Sequence, residues 1–249
     1  MNYWGMDMNN NIIPVNFQPS PTTAVCFSDT HKRIPFDLPK VQFGLMAGDV
    51  CNSGSEGDFR QFIDWYAKQD VVHKIYVPGN HDIFCEKKMD MAKRQCEINN
   101  IILLHNEGIV LDGISFWGTA TQPFFCNWAF NVMDARDRAV DFSLIPKNVD
   151  VLITHCPPYG ILDATPPTAW NNRSEDEHVG CHALLTAVKR AKPRFHIFGH
   201  IHHSYGHTLQ EGTCFLNVAV CTEQYKQTNA PIMVDLNNKP ERITFEGVP

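Results

Sequence analysis

Five short apolar segments, each followed at once by residue types that bind metals, constrain this sequence more than any other feature. Residues 24–27, 41–46, 72–77, 149–153 and 195–198 have the length and apolar character of buried β-strands. The segments that follow these strands are Ser28-Asp29-Thr30-His31, Ala47-Gly48-Asp49, Pro78-Gly79-Asn80-His81-Asp82, Thr154-His155 and Gly199-His200-Ile201-His202.

The rest of the sequence alternates helical and strand patterns. Ser55 and Asp58 form a capping-box-like helix start, and apolar residues recur at helical spacing from Phe59 to Tyr66. Further helices are predicted at 86–98 and at 181–191, which Pro193 ends. Four more strands are predicted at 206–209, 214–218, 232–236 and 242–245. This order predicts an α/β protein: an irregular lead-in at residues 1–20 and a single domain at residues 21–249.

Composition narrows the functional class. The net charge of −6 and the absence of clustered Lys and Arg disfavour a nucleic acid polymer as partner. No apolar run reaches the roughly 18 residues that span a bilayer, so we expect no membrane partner. The nine Cys are odd in number and form no C-x-x-C pair, which favours reduced thiols in the cytoplasm over a disulfide framework.

The polar residues after the strands predict a metal site. Ligand sites in open α/β sheets lie outside the carboxyl ends of strands, so five such ends on one sheet would bring their side chains together. Oxygen and imidazole donors suit first-row divalent metals. Seven donors are too many for one tetrahedral zinc, but fit two ions about 3.5–4 Å apart that share a carboxylate. The seven are Asp29, His31, Asp49, Asn80, His155, His200 and His202.

The spacing of these residues supports the metal site. In an extended segment residues i and i+2 face the same way, so Asp29 with His31, and His200 with His202, are each expected to hold one ion together. A glycine precedes Asp49, Asn80 and His200, which lets the chain turn sharply and approach an ion closely.

The ordered motifs D-x-H, G-D, G-N-H-[DE], H and G-H-x-H resemble the calcineurin-like metallophosphoesterase superfamily over residues 24–236. Further segments are similar to the metallophosphoesterase-domain-containing (MPPED) proteins. The resemblance implies a β-sandwich of two mixed sheets flanked by helices (α/β/β/α). The segments that carry the MPPED likeness include Thr121-Gln122-Pro123, Asn127-Trp128-Ala129-Phe130-Asn131, Thr154-His155-Cys156-Pro157-Pro158 and Phe198-Gly199-His200-Ile201-His202.

The resemblance also implies a role for each matched residue. His81 would approach the scissile phosphate from outside the metal ligands, and Asp82 would orient the His81 imidazole; alternatively Asp82 caps the helix that follows. Some relatives with weak activity have Gly at the position of His200, so its presence favours a competent enzyme. Asp29, His31 and His202 would hold one metal, Asn80, His155 and His200 the other, and Asp49 would bridge them.

These roles predict a metal-dependent phosphoric ester hydrolase. Two cations, Mn²⁺ by preference with Fe or Zn²⁺ as alternatives, would lower the pKa of a bridging water, and the resulting hydroxide would attack phosphorus. The amide of Asn80 would stabilise developing charge, and protonated His81 would give the leaving oxygen a proton.

The segment after Asp49 narrows the substrate class. Protein Ser/Thr phosphatases have an Asp-Arg-Gly segment there, whereas this sequence has Val50-Cys51-Asn52-Ser53-Gly54. Without that Arg a dianionic monoester lacks a bidentate partner, which favours small phosphodiesters, including cyclic nucleotides. The alternative function is a weakly active nucleotide-binding or scaffold protein that keeps the fold.

Three further features have two readings each. The aromatic stretch from Phe124 to Phe130 belongs to the core or lines the substrate pocket. Asp163 has the same two readings. Cys156 is a packed residue or, less in keeping with its apolar setting, a nucleophile.

Overall fold

Most strands of this chain belong to two mixed β-sheets. The computed structural model describes residues 3–6, 12–15, 20–34, 37–167, 177–237 and 243–246. The strands are β1 (Tyr3–Met6), β2 (Ile12–Val15), β3 (Thr23–Phe27), β4 (Val41–Met46), β5 (Val71–Tyr76), β6 (Ile101–Leu103), β7 (Glu107–Leu111), β8 (Ile114–Thr119), β9 (Gln122–Pro123), β10 (Asn131–Val132), β11 (Val151–Thr154), β12 (Ala164–Thr165), β13 (Glu177–His178), β14 (Phe195–Phe198), β15 (Gly206–Gln210), β16 (Thr213–Asn217), β17 (Ile232–Asp235) and β18 (Ile243–Glu246).

Five α-helices accompany these strands in the described ranges. None of them combines the length and apolar character that crossing a lipid bilayer requires. The helices are α1 (Glu56–Ala67), α2 (Ile83–Lys87), α3 (Met89–Ile98), α4 (Ala135–Ser143) and α5 (His182–Ala191), with a short 3₁₀ helix at His202–Ser204.

Each large sheet has a parallel part next to antiparallel strands. The eight-stranded sheet has the order β2-β1-β18-β17-β3-β4-β5-β6, and β3 to β6 run parallel. The six-stranded sheet has the order β15-β16-β14-β11-β8-β7, and its four inner strands run parallel. Two short pairs, β9 with β10 and β12 with β13, stand outside both sheets.

The two sheets pack face to face and helices cover their outer faces. Side-chain alternation along β3 shows the layering: Ala24 and Cys26 belong to the core between the sheets, and Val25 and Phe27 to the core under the helices. On the larger sheet that outer core includes apolar residues of α1 and α3. On the smaller sheet it includes apolar residues of α4 and α5. The predicted α/β/β/α sandwich of two mixed sheets is confirmed.

Helix α1 forms where the capping pattern predicted it. The side chain of Ser55 accepts the backbone N–H of Asp58 at 3.1 Å, which satisfies one of the free donors at the helix start. Phe59, Phe62 and Tyr66 are buried against the larger sheet. Each such buried side chain stabilises the fold by about 1.5–3 kcal/mol.

The predicted helix at 86–98 is two helices. The first begins earlier, at Ile83, and Lys88 leaves the helical conformation with φ −140° and ψ 46° between α2 and α3. Phe84 donates its N–H to the carbonyl of Gly54, so the loop after β4 holds α2. Helix α3 buries Ala92 and Cys96 against the sheet instead. The predicted single helix is therefore divided into α2 and α3 because its two parts contact different neighbours.

The expectation of an irregular segment at residues 1–20 is wrong for 3–6 and 12–15, which form β1 and β2. Strand β1 pairs with the nearby β2 and with β18, near the other end of the chain, and the distant pairing with β18 leaves no local signal in the sequence. Residues 1–2, 7–11 and 16–19 lie outside the described residues, as does Arg242 of the strand predicted at 242–245. The domain limits of 21–249 stay a prediction.

Candidate metal centre and substrate cleft

The five loops with metal-binding residue types meet at one end of the sandwich. Three follow β3, β4 and β5 of the larger sheet, and two follow β11 and β14 of the smaller one. The expectation that all five strands belong to one sheet is therefore wrong. Their carboxyl ends still meet at one edge of the sandwich, because the two sheets are hydrogen-bonded to each other there. Ser28 donates its N–H to the carbonyl of Val218 at 3.0 Å, and Asp29 donates to Gly48 at 2.9 Å.

The donors are presented by left-handed turns. Asp29, His31, Asp49 and His200 have φ values of 55°, 43°, 58° and 68°. The expected extended segments, with residues i and i+2 on one side, are therefore wrong. Left-handed backbone at non-glycine residues is strained and concentrates at functional sites. A Cβ at Gly199 would collide with the Asp29 carboxylate, so only glycine permits this approach.

The first donor group is Asp29, His31 and His202. Nε2 of His202 lies 3.2 Å from Oδ1 of Asp29 and 3.3 Å from Nε2 of His31. One donor atom from each of the three lies within 4.8 Å of the other two. This spacing allows all three to contact one cation.

The second donor group is Asp49, His155 and His200, with Asn80 beside it. Nε2 of His155 lies 2.9 Å from Oδ1 of Asn80 and 3.3 Å from Oδ2 of Asp49. The same Asp49 oxygen is 3.8 Å from Nε2 of His31 in the first group. Asp49 therefore lies between the groups. His200 and His202 fall in different groups, as the resemblance implies and against the expectation from their spacing.

Ring orientation shows that these residues fit a pair of divalent cations. Nδ1 of His31, His155 and His202 each lies within hydrogen-bond distance of a backbone carbonyl, at 3.2, 2.8 and 2.9 Å. An Nδ1–H donated to a carbonyl leaves Nε2 of the ring directed at the centre, as in metal-binding histidines generally. Together with the carboxylates this donor set suits Mn²⁺, Fe or Zn²⁺.

Two buried acid–base pairs dominate the electrostatics. Burial would raise the pKa of Asp29, but the hydrogen bond and charge of His202 lower it to about 2. Asp49 likewise has its pKa lowered, against burial, by the charge of His155. Burial lowers the pKa of both imidazoles, yet these carboxylates raise the pKa of His155 and of His202 to about 9. Without a cation, each pair is thus charged at neutral pH.

The other two imidazoles are neutral. Burial lowers the pKa of His31 to about 4 and of His200 to about 3, more than the nearby carboxylates raise it. A neutral imidazole has a free lone pair, so these two rings are ready to bind a cation without losing a proton.

His81 lies beside the first donor group. Nδ1 lies 2.7 Å from the carbonyl of Asn52, and its backbone N–H donates to Oδ1 of Asp49 at 2.8 Å. The ring stacks on Trp128 with centroids 3.9 Å apart and an angle of 29°. His81 also forms a donor group with His31 and Asp49, so the geometry allows it to bind a cation or to face the substrate.

Asp82 does not orient His81. Its carboxylate accepts backbone N–H groups of Gly79, Asp49 and Cys51 at 2.7, 2.9 and 3.0 Å. Its side chain makes no capping hydrogen bond to α2 either. Asp82 occupies the N-cap position of α2, but its side chain plays neither expected role, because three backbone donors from two loops surround its buried oxygens.

A cleft of about 560 Å³ opens over both donor groups. Its size is that of a small-molecule site. Among the described residues that line it there is no Lys or Arg, and Glu223 adds negative charge. Phe124 and Phe125, about half exposed, line one side.

Phe124 and Phe125 belong to a segment that we name the aromatic loop, residues 123–131. Nδ2 of Asn131 donates to the carbonyls of Phe125, Cys126 and Trp128 at 3.3, 3.0 and 3.0 Å. Ala129 donates its N–H to the carbonyl of Asn80 at 3.0 Å. The aromatic loop is thus hydrogen-bonded to the loop that carries Asn80. Of the two alternatives for this stretch, Phe124 and Phe125 line the cleft, whereas Phe130 is buried in the core.

Two other open readings are resolved. Oδ2 of Asp163 accepts N–H groups of Gly160 and Gly180, and its Oδ1 lies 2.6 Å from Nδ1 of His178. Asp163 therefore organises a turn and is not among the described cleft residues. Cys156 touches the cleft, but its thiol is buried and burial raises its pKa, so it stays protonated.

Sequence reasoning missed Tyr225. Its ring lies 4.6 Å from the His31 ring and 5.8 Å from the His202 ring, centroid to centroid. Partial burial and the negative charges of Asp49 and Asp29 raise its pKa. The surrounding segment has no motif that marks it.

Comparison with known proteins agrees with this architecture. The family model described as calcineurin-like phosphoesterase matches residues 23–204. The human protein "Metallophosphoesterase domain-containing protein 1" is 33% identical over 241 residues, which cover 88% of this chain and 72% of that protein. A UPF0046 protein of Caenorhabditis elegans is 32% identical over 92% of this chain and 63% of its own length. A solved crystal structure, 17% identical with a TM-score of 0.66, covers 92% of this chain and 99% of its own and shows the same fold. The chain therefore belongs to the calcineurin-like phosphoesterase family, with the metallophosphoesterase-domain-containing proteins among its relatives.

Proposed function

We propose that this protein is a phosphodiesterase that depends on two divalent metal ions and hydrolyses small phosphodiesters, including cyclic nucleotides. One observation carries the proposal: two joined groups of N and O donors lie under a cleft whose described lining has no Lys or Arg. The donors suit a metal pair, and the lining suits a phosphate with little negative charge.

The metal ligands would be Asp29, His31 and His202 in one group, and Asn80, His155 and His200 in the other, with Asp49 between them. Bound divalent cations lower the pKa of coordinated water and neutralise phosphoryl oxygens.

The chain's own residues would do the rest. The Nδ1–H of His81 is committed to the carbonyl of Asn52, which leaves Nε2 to give a proton to the leaving oxygen. The amide N–H of Asn80 would donate to charge that develops on the phosphoryl group. Asp82 would keep the loops of Asp49 and Asn80 together through its backbone contacts.

The charge of the cleft favours a diester over a monoester. A monoester carries close to two negative charges near neutral pH and is usually held by Arg in a bidentate pair. Glu223, a lining residue outside the donor groups, would repel the second charge. Phe124 and Phe125 offer apolar faces to an aryl group or nucleobase, and base stacking on an aromatic ring is worth about 1–3 kcal/mol.

The test compares three substrates with metal-loaded protein: bis(p-nitrophenyl) phosphate, p-nitrophenyl phosphate and a cyclic nucleotide, each with Mn²⁺. We expect a higher kcat/KM for the diester than for the matching monoester. A monoester preference at equal metal content and pH would refute the substrate class. Tight nucleotide binding without turnover would favour the nucleotide-binding alternative, and neither binding nor turnover would favour the scaffold.

A matched pair of variants separates metal-dependent turnover from contamination. His155→Ala removes a donor, whereas His73→Ala removes a histidine that pairs with Asp112 outside the donor groups. We expect His155→Ala to lose activity and metal, and His73→Ala to keep both. Chelation should abolish turnover and Mn²⁺ should restore it. Metal analysis of the purified protein tests Mn²⁺ against Fe and Zn²⁺.

Location and partners complete the proposal. The cytoplasm fits the odd number of cysteines, and the acidic net charge fits a small substrate better than a nucleic acid polymer. Fluorescence microscopy of the tagged protein tests whether it lies in the cytoplasm. A filter-binding assay with DNA and RNA tests whether it binds a nucleic acid polymer.

A further inference from the structure

We propose that Tyr225 is a substrate-contacting residue whose phenolic O–H donates a hydrogen bond to a non-bridging oxygen of the phosphoryl group. The inference deepens the proposed function and rests on it, because it adds a contact to the same reaction at the same site. Four observations carry it: the position of the ring, its backbone, its free hydroxyl and the charge of the cleft.

The ring of Tyr225 lies beside both the first donor group and the candidate acid. Its centroid is 4.6 Å from His31, 5.8 Å from His202 and 6.3 Å from His81. Tyr225 also lines the cleft. A phosphoryl group that contacted both a cation at the first donor group and His81 would therefore lie next to this ring.

The backbone holds Tyr225 there against a conformational penalty. Its φ is 55°, a left-handed conformation that is unfavourable for a bulky residue. The N–H of Tyr225 donates to the carbonyl of Thr222 at 2.8 Å, and Nδ1 of His202 lies 2.9 Å from that same oxygen. One carbonyl thus fixes both the orientation of a metal-binding imidazole and the turn that presents Tyr225.

The hydroxyl of Tyr225 makes no hydrogen bond to any residue within the described ranges, although the side chain is partly buried. The hydroxyl of Tyr205, in contrast, donates to the carbonyl of Ala230 at 2.8 Å. A phenol O–H is a neutral hydrogen-bond donor, and here it is free to donate to a ligand.

The charge of the cleft explains why a neutral donor belongs here. No Lys or Arg contributes to the described lining, and Asp49 and Glu223 are both part of it. Phosphoryl oxygens that do not contact a cation still need donors when water is displaced. Tyr225 meets that need with a single hydrogen bond and adds no positive charge that would favour a dianion.

The test compares Tyr225→Phe with Tyr205→Phe, each loaded with Mn²⁺. Both variants keep the ring and lose one hydroxyl, but only Tyr225 lines the cleft. We expect Tyr225→Phe to keep its metal content and melting temperature and to lose about tenfold in kcat/KM on the preferred ester, the size of one hydrogen bond. Tyr205→Phe should stay within about twofold of the wild type. Unchanged kcat/KM in Tyr225→Phe would overturn the proposal, and so would loss of metal, since Tyr225 would then support the donor group instead.

Two readouts separate this proposal from the diester proposal. The variants are assayed on diester and monoester alike, so a monoester preference of the wild type refutes the diester proposal alone. The affinity of the Mn²⁺-loaded proteins for inorganic phosphate, measured by calorimetry, makes the same comparison without turnover. A weakening of about tenfold in Tyr225→Phe alone supports the contact, and equal affinities in all three proteins overturn it.

Discussion

The carboxylate of Asp82 accepts the backbone N–H of Asp49 at 2.9 Å, although the two residues follow different strands. The same side chain accepts the N–H groups of Gly79 and Cys51, so one buried carboxyl group holds the loops after β4 and β5 together. Burial and the charge of Asp49 raise the pKa of Asp82, and the backbone donors oppose that rise. The carboxylate thus acts on the position of the metal donors.

Asp82→Ala should therefore lose metal and stability together. Three backbone N–H groups would remain buried without a partner, and we expect the free energy of unfolding to fall by roughly 2–5 kcal/mol. Urea denaturation and metal analysis measure both effects. Retention of full metal and wild-type stability, with slower turnover only on esters with poor leaving groups, would show that Asp82 acts through His81 after all.

Asp49→Ala and His81→Ala should differ in metal content. Asp49 lies between the donor groups, so its removal should cost metal as well as activity. His81→Ala should keep the metal and lose roughly 10²–10⁴ in rate on an ester with a poor leaving group, the usual contribution of a general acid. With p-nitrophenolate, which leaves without a proton, the loss should be smaller. Metal loss in His81→Ala would identify His81 as a ligand in its donor group with His31 and Asp49.

Asn131→Ala should weaken substrate binding and leave the metal in place. The side chain of Asn131 donates to three carbonyls of the aromatic loop and accepts the N–H of Phe125 at 3.1 Å. Without these bonds Phe124 and Phe125 lose their fixed position at the cleft, so KM for an aryl diester should rise by about tenfold at unchanged metal content. An unchanged KM would show that the loop contributes no binding.

Local sequence patterns predicted the elements that are buried on a regular period. Strands β3, β4 and β14 are short apolar runs, and α1 has both a cap and an apolar face. Each of these elements can therefore be predicted from a few consecutive residues. Helix α4 was missed because only Phe142 among its residues is buried, which leaves little periodic signal. The three-residue strand β6 is too short to show an alternation.

The same distinction holds for the site. Donors such as Asp49 and His155 directly follow apolar strands, so their convergence could be predicted from the sequence. The carbonyls that orient the imidazoles, the loops that Asp82 connects and the place of Tyr225 depend on contacts between distant parts of the chain. Sequence spacing does not encode those contacts.

Asp58 predicts an acid-sensitive contribution to stability. Burial would raise its pKa, but the hydrogen bonds from Lys32 at 2.9 Å and from backbone N–H groups lower it to about 2. A carboxyl with a lowered pKa stabilises the fold above its unfolded pKa of about 3.9, and this stabilisation is lost as pH falls towards 2. Asp58→Asn should lower the free energy of unfolding by about 1–2 kcal/mol at pH 7 and by less near pH 2. Asp70→Asn is the control, because its pair with Lys40 is exposed; an equal effect in both variants would contradict the prediction.

Metal binding should release protons, with a dependence on pH that extends above the usual range of histidine. In the metal-free protein the carboxylates of Asp49 and Asp29 raise the pKa of His155 and His202 to about 9. A cation must displace these protons. Its apparent affinity should therefore increase as the pH is raised towards 9, by up to tenfold per displaced proton for each pH unit. Imidazoles with an ordinary pKa of about 6.5 would give a metal affinity that no longer changes above pH 7.5.

Anaerobic Mn²⁺ titrations between pH 6.5 and 8.5, in two buffers of different ionisation enthalpy, measure both the dependence of affinity on pH and the number of protons released. Continued increase in affinity above pH 7.5 supports the two acid–base pairs, and a plateau with no proton release would mean that the imidazoles are already neutral before the metal arrives.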